Sequence, residues 1–254
     1  MKHAPVALQL YTVRDAVARD ITDTLSQVAR MKYEGVEFAG FGGLAPSRVR
    51  EVLDGEGLTA VACHVGVPAL EADFDRAVSE VQEVGASFVV CPWVDPAVAH
   101  DAARWVDFAG RLQGWALACR ARGLTFAYHN HVFEFEARHD GEFALDRLWR
   151  VAPDVRIELD AAWAFAGGVD PAAYLRGLAA RVPLLHVKDV TVHGAERETV
   201  ELGEGEVPLP AVLDAARDAG VEWLIVEQDQ CRRDPLESAR ANAAWLRGAL
   251  SVTT

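Results

Sequence analysis

Residues 126–136 read FAYHNHVFEFE, an apolar run that passes straight into two imidazoles, an asparagine and two carboxylates. Histidine titrates near neutrality and is the commonest protein ligand of metals, so His129 and His131 are candidates for proton transfer or coordination. The same passage from apolar run to polar end recurs downstream. Asp160 closes VRIELD, His186 and Lys188 lie in PLLHVKD, and Glu227 and Asp229 lie in EWLIVEQD. Upstream, Gln9 and Tyr11 belong to VALQLY, Glu37 to GVEFAG, and His64 ends LTAVACH.

Gathering several carboxylates in one cup is costly unless a cation neutralises them. Asp160, His186, Glu227 and one group from the fifth run would form a mixed oxygen and nitrogen set for one divalent ion. Such a set suits Mn, Mg, Co or Zn without choosing among them.

The elements that must position these groups are legible as an alternation. Eight short runs rich in Val, Leu, Ile or Phe read as buried strands: 6–11, 35–40, 58–64, 87–93, 124–130, 155–160, 183–189 and 222–229. Between them apolar residues recur at helical spacing, as at Leu25, Val28 and Ala29, or at Leu209, Val212, Leu213 and Ala216. RMKYEG, AARDAG and CRARG each close on a glycine before a strand, the expected end of a helix. VDPAAYL opens one, with Asp170 as cap and Pro171 in the first turn.

Strand-to-strand spacing of 23 to 39 residues suits βα units rather than hairpins. Eight such units without a linker predict an α/β fold, a single (β/α)8 TIM-barrel domain over residues 1–254. The alternative, an open doubly wound sheet, would carry a glycine-rich phosphate turn after its first strand, and LQLYTVRD has none. In a barrel the catalytic groups project from the C-terminal strand ends. Residues two apart share a face, which pairs His129 with His131, His186 with Lys188, and Glu227 with Asp229.

The formal net charge of −13 argues against a nucleic-acid partner, because phosphate binding relies on clustered Lys and Arg. Cys63, Cys91, Cys119 and Cys231 form no CxxC pair and suggest a reducing, cytoplasmic setting. No stretch approaches the roughly 20 apolar residues of a membrane span. A homodimer paired through helical faces suits barrels of this kind, although no stripe in the sequence marks such a face.

YHNHVFEFE, IELDAAWAFAGGVDP, LLHVKD and IVEQD together resemble the sugar phosphate isomerase/epimerase family, the xylose isomerase-like TIM barrels. LQLYTVRD and LGEGEV fit the same group, so the resemblance covers nearly the whole chain. It implies one divalent metal at the barrel mouth, held in the related epimerases by Glu, Asp, His and Glu from strands five to eight. By position Asp160, His186 and Glu227 match the last three. Strand five ends in His129 instead of Glu, and the nearest carboxylate is Glu134. Glu134 is therefore taken as the fourth ligand and His129 as a base or substrate ligand, with the reverse assignment as the alternative. The departure resembles the branch with inosose dehydratases and enzymes acting on keto-sugars.

The expected chemistry is proton removal next to a carbonyl of a sugar or polyol-derived substrate. His129, His131 and Lys188 are the catalytic candidates; Gln9, His64, Trp93 and Trp163 are the substrate-binding ones. Returning the proton gives epimerisation or isomerisation, whereas loss of a β-substituent makes the enzyme a dehydratase or other lyase. A sugar-binding protein without catalysis is a further alternative. The loop ELGEGEVPLP lies where barrels often bind phosphate, but its three glutamates favour an unphosphorylated substrate.

Overall fold

Each apolar run forms a strand in the computed structural model, which describes residues 3–252. The strands are β1 (Val6–Gln9), β2 (Gly35–Phe38), β3 (Thr59–His64), β4 (Phe88–Cys91), β5 (Thr125–His129), β6 (Arg156–Asp160), β7 (Leu184–Val187) and β8 (Trp223–Val226). They close in sequence order into one parallel barrel. Closure runs through β1 and β8, with Ala7 opposite Ile225 and Leu8 opposite Val226. The chain is thus a single TIM-barrel domain of mixed α/β class.

Helices fill every return, from Arg14–Arg30 after β1 to Pro235–Val252 after β8. Their apolar stripes face the outside of the barrel, where Leu25, Val28, Val212 and Leu213 are buried. Burial of each such side chain contributes ~1.5–3 kcal/mol. Inside, the lower half of the barrel is plugged by Ala7, Val61, Ala62, Phe88, Val90, Ala127, Leu184 and Ile225. This dry plug leaves only the C-terminal half of the interior for polar side chains. Among the described residues no helix is long and apolar enough to cross a membrane.

The structure departs from the sequence reading at the strand ends. β1 stops at Gln9, and Leu10–Val13 turns into a 3-10 helix that carries Tyr11 off the strand. Beyond β7 the chain folds into an antiparallel hairpin, Asp189–His193 with Glu196–Val200. A second small hairpin pairs Arg138–His139 with Glu142–Phe143. His139 is buried there, with Nε2 2.9 Å from the Ala99 carbonyl. Gly220 and Gly123 take the left-handed conformation expected at helix ends, but in RMKYEG it is Lys32 that does so (φ 71°).

Gly35 has another use. A Cβ there would lie 2.7 Å from Val61 Cγ2 and 2.9 Å from the Thr59 carbonyl, so the barrel floor closes only around a bare backbone. Gly35→Ala is expected to lower unfolding free energy by about 1–3 kcal/mol through overpacking. Urea denaturation with an unchanged slope is the measurement, and an unshifted midpoint would contradict it.

Candidate active site

Alternation along the strands sends every second side chain into the barrel. On β6 those are Glu158 and Asp160; on β5 His129; on β2 Glu37. His64 ends β3, and His186 lies on β7 with Lys188 just past its end. Glu37, Glu158, Asp160, His186 and Lys188 are fully buried, and Glu227 nearly so. They form two tiers above the apolar plug.

In the lower tier, His186 Nε2 lies 2.7 Å from Glu37 Oε2 and 3.3 Å from Glu158 Oε2. His64 Nε2 lies 2.8 Å from Glu158 Oε2 and 3.3 Å from Glu37. Gln9 donates through Nε2 to Glu37 at 2.8 Å and accepts from the Tyr11 amide through Oε1. In the upper tier, His186 Nδ1 faces Glu227 Oε2 at 2.9 Å and Asp160 Oδ2 at 3.8 Å. Lys188 Nζ sits 2.8 Å from Asp160, 2.7 Å from Glu227 and 2.8 Å from Asp229.

Two local devices fix the upper tier. Asp160 caps the helix Ala161–Ala166 by accepting the Trp163 amide on Oδ1 at 2.8 Å, which aims Oδ2 inward. Buried Asn130 accepts the Asp160 amide at 3.0 Å and donates to the Asp160 carbonyl at 3.4 Å. The asparagine between the two histidines is therefore a staple that ties the end of β5 to β6.

Charge neighbours set the protonation states. Burial alone would lower His64, but the Glu37 and Glu158 carboxylates outweigh it and push its pKa up to about 10. His186 is also raised against burial, by Glu158, Glu227 and Glu37. Burial pushes His129 well down, reinforced by His186, His131, His64 and Lys188, so its imidazole is neutral. Burial, then Lys188, pushes His131 down to about 3. Lys188 is held charged against burial by Asp160, Asp229 and Glu227. Burial opposes ionisation of Glu227, yet Lys188 and His186 hold its carboxyl below the usual range.

His129, Asp160, His186 and Glu227 each place one ligand-type atom within 4.8 Å of the others, all four buried. Shells with metal–ligand bonds near ~2.0–2.2 Å have ligand–ligand separations of this order. His129 is neutral and its buried Nδ1 has no hydrogen-bond partner, so desolvation has already been incurred there. Glu37 behind His186 Nε2 supplies the carboxylate that orients a ligating imidazole. The donor set fits a divalent ion. Glu37, His64, Glu158 and His186 form a second close group, in which the two imidazoles and Gln9 meet the Oε2 atoms of both carboxylates while their buried Oε1 atoms have no hydrogen-bond partner.

Glu134, taken from sequence as the strand-five ligand, is not brought to this set. It lies on the short helix Phe133–Glu136, where its carboxylate accepts the Tyr128 hydroxyl at 2.6 Å and the His131 amide at 2.9 Å. Tyr128 alternates with His129 and points outward into the helix layer, which carries Glu134 with it. Burial pushes the Glu134 carboxyl up to about 8.

Above the tiers opens a cavity of about 420 Å³ lined by Tyr11, Trp93, His64, His129, His131, Glu227 and Asp229, with Ala39 and Pro92. His64, Trp93, His129 and His131 thus line one cavity. Gln9 and Lys188 lie beneath, engaged with carboxylates. Trp163 stacks on His131 at 6.2 Å and carries Lys188 Nζ over its ring at 5.1 Å. In the sequence Glu37 is one of the polar strand residues and Glu158 shares a face with Asp160; that both meet His64 and His186 in a lower tier is not legible there.

A family model described as xylose isomerase-like TIM barrel matches residues 25–249. No curated protein matches the sequence. A sugar phosphate isomerase/epimerase from Parabacteroides distasonis superposes with a TM-score of 0.81 at 21% identity over 97% of each chain. The probable 3-DHS dehydratase AsbF of Bacillus anthracis gives 0.76 at 14%, covering 96% of this chain and 98% of its own. The IOLI protein, whose structure holds a zinc atom, gives 0.72 at 12%, covering 98% and 99%. At these identities the likeness is one of fold.

Two outcomes follow for metal binding. His129→Ala should weaken binding of manganese or zinc by at least ~10-fold in calorimetry, while Glu134→Gln stays within about threefold. The reverse ranking would return Glu134 to the ligand set. Metal-free His186 has a raised pKa and keeps a proton at neutral pH, whereas a ligating imidazole must be neutral. Binding should therefore release about one proton near pH 7, and affinity should fall as pH falls. Enthalpies identical across buffers of different ionisation heat would refute this.

Proposed function

The chain belongs to the xylose isomerase-like TIM-barrel family, and from that premise we propose a divalent-metal-dependent enzyme that removes a proton next to a carbonyl. Its substrate is a sugar or polyol-derived ketone, and its reaction is isomerisation or epimerisation. The observation that carries this reading is the meeting of His129, Asp160, His186 and Glu227 beside a cavity that His129 and Glu227 themselves line. In it, these four residues hold the ion. Bound there, a divalent ion supplies Lewis acidity worth several kcal/mol to a developing oxyanion.

The protein groups around the cavity divide the proton work. Glu227 and Asp229 present carboxylates on the wall contributed by β8 and the residues after it. Glu227 is held ionised by Lys188 and His186, the state a metal-ligating carboxylate needs, so the remaining carboxylate of that wall, Asp229, is the one placed to take a proton. His64, on another part of the lining, is held protonated by the carboxylates behind it, so it donates one. A positioned acid or base of this kind contributes ~10²–10⁴-fold. His131, neutral and stacked between Phe133 and Trp163, serves as a hydrogen-bond partner for substrate hydroxyls. Lys188 holds the carboxylates in register from below. Trp93 is half exposed at the rim and offers a flat face to a sugar ring.

Elimination is the second reading. A protonated imidazole on the cavity wall is the acid that a departing hydroxyl or alkoxide requires, and AsbF shows that a probable dehydratase shares this fold. Metal-loaded protein incubated in D2O with ketoses, inososes and keto-glycosides separates the two by NMR. Deuterium incorporation without loss of water or aglycone is expected for the first reading. Loss of either indicates a lyase, and no exchange with any carbonyl compound would remove both. His64→Gln should reduce the rate by at least ~10²-fold while metal stoichiometry stays at the wild-type value.

A further inference from the structure

The loop ELGEGEV (201–207), which follows the hairpin after β7, lies where barrels commonly bind phosphate. Here its amides converge on a carboxylate of the chain itself. Asp189 is buried; its Oδ2 accepts the Gly203 and Gly205 amides at 2.9 and 3.0 Å. Its Oδ1 accepts the Val190 and Val207 amides at 3.0 and 3.1 Å. Four backbone donors around one anion form a nest of the kind that cradles phosphate elsewhere. Gly205 is required for this approach, because a Cβ there would stand 2.2 Å from Asp189 Oδ1.

The charge around the cavity points the same way. None of its lining residues is Lys or Arg, and its one imidazolium, His64, is already met by Glu158 and Glu37. Lys188 beneath it is shared by three carboxylates, and Arg14 at the rim directs Nη1 to the Tyr11 and Asp229 carbonyls. The loop adds Glu201, Glu204 and Glu206; Arg233 meets the first two and Glu206 accepts the Val192 amide, so three carboxylates there stand against one shared cation.

We infer that Asp189 fills the anion position of the strand-seven glycine loop from within the chain, so that the cavity selects uncharged polyhydroxylated carbonyl compounds over their phosphate esters. The selectivity half of this statement rests on the proposed sugar chemistry; the filled nest does not. Asp189 is thus a specificity-determining residue that never touches the reacting atoms.

Asp189→Gly removes the CH2–COO⁻ group and leaves four donors unmet. Acetate restores that group, so the thermal midpoint of D189G should rise saturably with sodium acetate, and with inorganic phosphate, beyond sodium chloride at matched ionic strength. The wild-type midpoint should follow chloride alone. A D189G response to acetate no larger than to chloride would overturn the filled nest. Whether or not D189G folds, calorimetry of metal-loaded wild type with inorganic phosphate should show no saturable heat, and saturable binding there overturns the inference. With D-fructose and D-fructose 6-phosphate as probes, the ester should bind at least ~10-fold more weakly; equal or tighter binding also overturns it. Failure of both sugars, and of every other carbonyl compound, would count against the isomerase reading and leave the acetate and phosphate results to decide the nest.

Discussion

The structure turns on how several carboxylates are accommodated together in a buried cup. Glu37, Glu158, Asp160 and Glu227 are buried within one barrel, with Asp229 at its edge. Desolvating each costs several kcal/mol even after relaxation, and only short contacts to opposite charge offset that. Without a metal the opposite charge comes from Lys188 and from His64 and His186, each held protonated by the carboxylates it touches. A proton on His186 and an ion in the upper tier are alternative ways of meeting the same demand. In the proposed metalloenzyme the site would exchange one for the other.

That demand dictates much of the surrounding architecture. The charged groups come from separate strands, so their spacing is set by barrel register rather than by any flexible loop. Asp160 opposite His186, and Ile225 opposite His186, place Glu227 one inward step above the imidazole. Asn130 and the helix-capping oxygen of Asp160 then remove the freedom left at the strand ends. Below, the apolar plug of Ala7, Phe88, Leu184 and Ile225 keeps water out from the other side and keeps the local dielectric low.

The sequence carried the barrel well because parallel strands buried on both faces read as continuous apolar runs, and eight such runs with helices between them admit few topologies. It carried the β6, β7 and β8 residues for the same reason: Asp160, His186 and Glu227 follow the strand period. Strand five was harder. YHNHVFEFE offers both His129 and Glu134, and only the helical turn at Phe133–Glu136 directs Glu134 back onto Tyr128. That turn depends on packing against the helix layer, which no local pattern records. The two hairpins leave as little trace in the sequence, since their strands are short, five residues each in one and two in the other.

The strand-five exchange also bears on chemistry. In the proposed centre, two carboxylates and two neutral imidazoles carry two negative charges, where a Glu, Asp, His, Glu set carries three. A divalent ion is then balanced rather than outweighed, which leaves more of its field for a bound oxygen. In the proposed function the same exchange leaves one carboxylate fewer on the reacting side of the cavity, and proton transfer would fall to an unlike pair, a carboxylate following β8 on one wall and His64 on the other. An unlike pair favours moving a proton in one direction over returning it symmetrically to either face. Among the outcomes open to a deprotonated ketone, those that need a distinct acid for a departing or migrating group gain most from such an arrangement.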